Sequence, residues 1–223
     1  MAWCAGEEQI SFTTSDLGAP LETDVTGETY ALHLGTATWV KPVGIDMFLG
    51  DALDFSILLG VEEDSDVLDF VGAIPETGTI EQDECLPTLD FDPIDFSTTP
   101  FFEIGPVDLP IDLMGVSLTV WSMNISGTFE PDGEAMSEVS LAGALDMREV
   151  GPALGDIAGG LPLDLSDPDE ACATLTLLGI SCEACPSGDG DYCLALDLVD
   201  IQATSSGSPV TPIAEADIPE DCE

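Results

Sequence analysis

VSLTVWSMNISGTF (residues 116–129), EPDG (130–133) and SEVSLAGALDM (137–147) read together as two strands around a turn. Apolar residues alternate with Ser, Thr and Asn in both runs, which is the two-residue period of a strand with one buried face. Pro131 presets φ, Asp132 caps the turn and Gly133 accepts positive φ, so the chain reverses there and the strands pair antiparallel.

The same pattern extends toward the N-terminus. Tyr30 to Val40 is expected to be one strand, with Tyr30, Leu32 and Leu34 on one face and Ala31, His33 and Gly35 on the other. Runs 54–60 and 67–74 flank Glu62-Glu63-Asp64-Ser65-Asp66, an acidic hairpin tip. LDFDPIDF (89–96) and GPVDLPIDL (105–113) alternate carboxylates with apolar residues around a proline. Proline removes a ladder donor, which places both pieces on edge or bulged strands, and charge on an edge resists sheet-to-sheet aggregation.

Toward the C-terminus the period changes. Residues 168–178 are expected to form a helix, with Asp167 as N-cap, Pro168 in the first position, Asp169 and Glu170 at the positive end of the dipole, and Gly179 as the stop. Ala171, Leu175 and Leu178 give it one packing face. A shorter helical turn is expected after Arg148. Residues 192–203 read as a last strand, and 205–223 as an extended tail that Cys222 could pin to the body. The expected fold is therefore mainly β, an antiparallel β-sandwich or β-barrel with one short packed helix. Residues 1–204 make a single domain that includes a helix and Cys-rich loop over 168–193.

The chain has 223 residues, 44% of them hydrophobic, so it can bury a real core and is no disordered acidic tail. Its 45 Asp and Glu oppose only Lys41 and Arg148, for a formal charge of −43. Nucleic acid and anionic membrane surfaces are thereby excluded as direct partners, because both demand Lys and Arg to meet phosphate. Divalent cations are the small partners that this balance favours. Spread over a surface on the order of 9,700 Å², neighbouring carboxylates stand roughly 15 Å apart, beyond the Debye length of about 8 Å at physiological salt but inside the roughly 30 Å of dilute salt. Such a charge is tolerable in saline or calcium-rich surroundings and costly in fresh water.

Seven cysteines, Cys4, Cys85, Cys172, Cys182, Cys185, Cys193 and Cys222, favour an oxidising exterior, where disulfides persist. The group Cys172, Cys182, Cys185 and Cys193 admits two disulfides or a thiolate zinc site, and its spacing lacks the two close pairs of a zinc ribbon. A redox role for Cys182-Glu183-Ala184-Cys185 lacks the nearby positive charge that a reactive thiolate needs. Cys4 stands where a lipid-modified cysteine would sit in an exported lipoprotein. Ala2 and Trp3 ahead of it suit an ordinary disulfide partner better. Residues 1–30 lack a basic start and apolar run, which leads to the expectation that a signal peptide has been removed.

Calcium is the one cofactor that the composition suggests. Asp189 and Asp191 share a Gly-rich loop, Asp64 and Asp66 sit at the hairpin tip, and Asp90 and Asp92 line an expected edge, so each pair could supply oxygens for weak calcium binding. None matches an EF-hand loop, and a solvated acidic surface is the better account of any single one of them. The single His33 falls within a strand, outside any nucleophile or phosphate-loop motif, and no catalytic residue is assigned. Trp3, Trp39 and Trp121 and most Phe are core candidates. Adjacent Phe101 and Phe102 cannot both face inward.

At ALDMREV (144–150) and ACATLTLLGISCEACPSGDGDYCLALDL (171–198) the chain resembles a group of uncharacterised exported proteins and lipoproteins of myxobacteria and related bacteria. In that group a short helix ends in Gly, a Ser-Cys-x-x-Cys-Pro loop follows, and a Tyr-Cys-Leu strand closes the unit. The matching positions are Gly179, Ser181, Cys182, Cys185, Pro186, Tyr192, Cys193 and Leu194, within a similar stretch of residues 127–203. The resemblance implies an extracellular or cell-envelope setting and no activity. The expected function is a non-enzymatic exported or cell-surface binding or structural protein. Two alternatives are a filament or surface-layer subunit assembled from copies of itself, and a barrel carrying an apolar ligand such as lipid.

Overall fold

The hairpin forms as the sequence dictates. In the computed structural model, β8 (Val116–Phe129) pairs antiparallel with β9 (Ala135–Asp146) across the EPDG turn. Gly133 has φ 72°, its N–H donates to the Glu130 carbonyl at 2.9 Å, and the Asp132 carboxylate accepts from the Glu134 N–H at 3.1 Å. A Cβ at Gly133 would lie 2.6 Å from Thr23 Oγ1. Gly133→Ala should therefore cost about 1–2 kcal/mol from the left-handed backbone alone, with crowding added, measurable by urea denaturation.

The structure describes residues 21–44, 55–64, 67–95, 100–113, 116–151, 167–177, 179–188, 190–219 and 222. Strand positions follow chain order around a nearly closed antiparallel barrel: β1 (Thr29–His33), β3 (Ser56–Asp64), β4 (Val67–Ala73), the short β5 (Leu89–Asp90) and β6 (Ile94–Asp95), β7 (Phe101–Leu113), β8, β9 and β10 (Cys193–Ser205). Strand β10 returns to β1, with Tyr30 opposite Ser205, so the first and last of these strands share a seam. The remaining gap lies between β5 and β6 on one side and β7 on the other. The two proline-bearing pieces thus sit at the ends of the strand order, as their missing donors require.

Residues 30–40 do not form the single strand expected of them. Strand β1 stops at His33, a 3₁₀ turn follows over Leu34–Thr36, and β2 (Thr38–Lys41) resumes against Asp197, Leu198 and Val199 of β10. The cause lies across the ladder. Asp200 bulges with φ 57°, and the partner chain breaks to follow, with Thr36 Oγ1 accepting the Gln202 N–H at 2.9 Å. Ser122 and Glu138 have φ 50° and 53°, and register shifts lie beside these residues too. Bulges sharpen the coil of a strand, which lets β8, β9 and β10 curl around the core.

Tyr30, Phe70, Phe102 and Phe129 stack at the centre with centroids 5.1–6.4 Å apart. The Tyr30 hydroxyl donates to the Gly133 carbonyl at 2.7 Å, tying the core to the turn, and burial pushes its phenol well above the ordinary range. Phe102 is buried and Phe101 is 45% exposed, which is how the alternation of a strand divides the two. Each fully buried large side chain contributes about 1.5–3 kcal/mol.

Helix α1 (Pro168–Leu177) keeps its expected ends. Asp167 Oδ1 accepts from the Asp169 and Glu170 N–H groups at 3.0 and 3.4 Å. At the other end Gly179 has φ 85°, its N–H donates to Thr176, and the Ile180 N–H donates to Leu175. Those two bonds are a Schellman stop, and Ala171 and Leu175 are buried against the barrel. Leu178 lies outside the described residues. The expected turn after Arg148 is helical over 147–151. Beyond β10 the tail is extended apart from a 3₁₀ turn at Glu215–Asp217, and it lies back along the barrel wall.

Candidate functional site

Six cysteines pair into three disulfides, Cys85–Cys222, Cys172–Cys182 and Cys185–Cys193. The Cys-x-x-Cys pair is thereby split, since Cys182 turns back to the helix and Cys185 reaches across to the start of β10. Three disulfides fit an oxidising environment such as the outside of a cell. Cys4 lies outside the described residues, and among those residues no helix is long and apolar enough to cross a membrane.

Around these bonds the structure gathers polar side chains where β9, the 147–151 turn, α1 and β10 meet. Asp146 is the one buried charged side chain among the described residues, 3% exposed. Arg148 Nε donates to both of its oxygens at 2.9 Å, the second guanidinium arm also reaches Oδ2, and the Arg148 N–H donates to Oδ1 at 2.9 Å. Burial pushes the Asp146 carboxyl upward, but these hydrogen bonds and the guanidinium charge outweigh it and hold the group below its usual value. The guanidinium also lies over the Tyr192 ring, 5.6 Å from its centroid. Tyr192 in turn donates to Asp169 at 3.2 Å, a bond that pushes its phenol up and fastens the helix to the barrel.

Potential ligand atoms of Asp146, Cys185 and Cys193 lie within 4.8 Å of one another. The two sulfurs are bonded to each other, so this group offers a cation only a carboxylate that Arg148 already holds. The calcium candidates fall elsewhere. Asp90 is exposed on β5, Asp92 is exposed just after it, and Asp191 is exposed in the loop before β10. Among the described residues none of the three joins a cluster of close ligand atoms. Asp64 ends β3, where only backbone is described, and Asp66 and Asp189 lie outside the described residues.

His33 meets Ser56 directly across the β1–β3 ladder, with Nδ1 and Oγ 2.9 Å apart. Among the described residues no carboxylate hydrogen-bonds to the ring as the third member of a nucleophile triad would. Inside the barrel, Leu34, Phe55, Ile111, Leu118 and Val150 help to line a wholly apolar cavity of about 20 Å³. That is room for about one water, which would find no polar partner there. A bound lipid needs roughly 300 Å³ or more, far above this volume.

The Asp146–Arg148 pair and the His33–Ser56 pair are absent from the motifs read in the sequence. The first left a signal, because the chain's single Arg stands two residues after an Asp at the end of a strand. The second left none, because it depends on strand register. No protein-family model matches the chain, and no curated protein and no solved structure matches it.

Proposed function

We propose that the protein is an exported, non-catalytic β-barrel module whose working surface is its acidic exterior, adapted to saline or calcium-rich surroundings and binding divalent cations weakly at many points. The carrying observation is where charge sits. Among the described residues the one carboxylate residue in the buried class is neutralised by Arg148, the large core cluster is apolar, and most other carboxylates, such as those of Glu62, Glu81, Asp90, Asp92, Glu134 and Asp191, are exposed to solvent and its ions. The disulfides and the resemblance in residues 127–203 support placement outside the cell.

On this reading stability is limited by self-repulsion, which salt screens. The melting temperature should rise steadily with NaCl from millimolar to molar, each kcal/mol of relieved repulsion adding about 2–4 °C at this chain length. Calcium should stabilise at lower concentration than sodium, with calorimetry showing weak, multi-site heats. A melting temperature indifferent to both salts would overturn the proposal.

A further inference from the structure

The C-terminal tail is held in a groove built entirely by the barrel. Thr29 Oγ1 accepts from the Val210 N–H at 3.1 Å. The Gln82 side-chain amide donates to the Thr211 carbonyl at 2.8 Å and accepts from the Thr211 N–H at 2.7 Å, standing in for a strand's backbone. The Thr88 N–H donates to the Ile213 carbonyl at 2.9 Å, and its Oγ1 accepts from the Ile213 N–H at 3.0 Å. Val210 covers an outward apolar patch of Ala31, Leu58 and Ala73, and a Cβ on Gly60 would lie 3.0 Å from Val210 Cβ. The groove therefore grips the main chain of an extended peptide and one small apolar side chain, the logic of strand addition.

We infer that this groove also takes the tail of a second copy of the chain, with Cys222 of that copy bonded to Cys85. The groove residues lie between 29 and 88 and are complete without the tail they hold. The tail joins β10 through Ser206-Gly207-Ser208, where Gly207 has φ 72° and is exposed, a suitable hinge for exchange. Extended, residues 206–219 reach about 45 Å, enough to cross to a neighbouring barrel. Cys85 is exposed and Cys222 half-buried, Cys172 and Cys182 are both half-buried, and Cys185 and Cys193 are buried, so the Cys85–Cys222 lock is the bond most open to thiols. A groove on one copy and a tail on the next make a head-to-tail contact, which can propagate.

The covalent step needs only a catalytic monothiol. Its thiolate attacks the Cys85 sulfur, forming a mixed disulfide and releasing the Cys222 thiolate. Carried by its tail, that thiolate attacks Cys85 of a second copy, a new Cys222–Cys85 bond forms, and the second copy's Cys222 leaves as thiolate. The last freed Cys222 attacks the first mixed disulfide and returns the monothiol, so disulfides and thiols are conserved. Strong mutual repulsion at −43 restricts the exchange to high ionic strength.

The test mixes equal amounts of full-length chain carrying natural and ¹⁵N nitrogen, with catalytic glutathione, in low and in molar NaCl. After alkylation and proteolysis without reduction, mass spectrometry reads the isotope pairing of each disulfide. Mixed-isotope Cys85–Cys222 pairs should rise with protein concentration and salt toward about one half, the limit set by random partner choice. Cys172–Cys182 and Cys185–Cys193 should stay unmixed. Same-isotope pairing at Cys85–Cys222 under every condition would overturn the inference, and so would equal mixing at all three bonds, which marks unspecific scrambling.

Discussion

Replacing Arg148 with Met should destabilise the protein by about 1–3 kcal/mol at neutral pH, below the cost of breaking a fully buried ion pair because the Arg148 side chain is 37% exposed and solvent screens its charge. Asp146 would keep its burial and lose the guanidinium that neutralises it. The loss should appear as a fall in melting temperature of about 2–12 °C for a chain of this size. Its pH dependence separates this cause from lost packing. In the native protein the Asp146 carboxyl is held below its ordinary value, so its contribution is present above the unfolded pKa of about 3.9 and is lost as pH falls through the lower folded value. In the variant the backbone N–H of residue 148 still donates to Asp146, but the guanidinium's hydrogen bonds and charge are gone, so burial weighs more and the folded pKa moves upward. The variant should therefore be weakest relative to the native protein at neutral pH, with the gap narrowing as pH falls and closing only once Asp146 is protonated in the native protein as well. A gap of constant size from pH 7 to pH 4 would mean that the stem of Arg148 matters and its charge does not.

Removing the Cys85–Cys222 bond as Cys85→Ser with Cys222→Ser should be the other large effect. That bond spans a sequence separation of 137, and the chain-entropy model gives about 5 kcal/mol for so long a loop. Cys172–Cys182 and Cys185–Cys193, with separations of 10 and 8, are each worth about 2.5 kcal/mol by the same model. Denaturant titrations of the three paired-serine variants should reproduce that order. Hydrogen exchange adds a local reading. The amides of Val210, Thr211 and Ile213, all bonded to the barrel, should lose protection in the Cys85/Cys222 variant, while those of β8 and β9 keep theirs. Equal protection of the tail with and without the bond would show that the groove alone holds it.

How much of this was legible in the sequence follows from the distance over which each feature is decided. The hairpin of residues 116–147 and the helix at 168–177 rest on neighbours in the chain: alternation, a Pro-Asp-Gly turn, an Asp cap and a Gly stop. Those elements are found where they were expected. The mainly β class follows from repeating the same local pattern. The break after His33 was hidden because its cause, the bulge at Asp200, lies on a strand far along the chain. Cysteine spacing could not tell which partner each residue of Cys182-Glu183-Ala184-Cys185 would take, since the helix and β10 approach that loop from opposite sides. The carboxylates show the same limit. Their number and rough separation follow from composition, but only the fold could reveal that Asp146 alone among the described residues is buried and that Arg148 stands on it.

The seam between β1 and β10 fixes when this barrel can form. Tyr30 faces Ser205, so the pairing that joins the two halves of the sheet brings together residues 175 positions apart. Local hairpins such as β8–β9 can assemble early, but the two halves of the sheet cannot join until β10 has been synthesised. Until then β1 offers one unpaired edge beside an apolar face. Non-local closure of this kind slows folding, because the entropy of a long loop is lost before any contact compensates for it. Throughout that interval the net charge of −43 would oppose pairing between the open edges of incomplete chains.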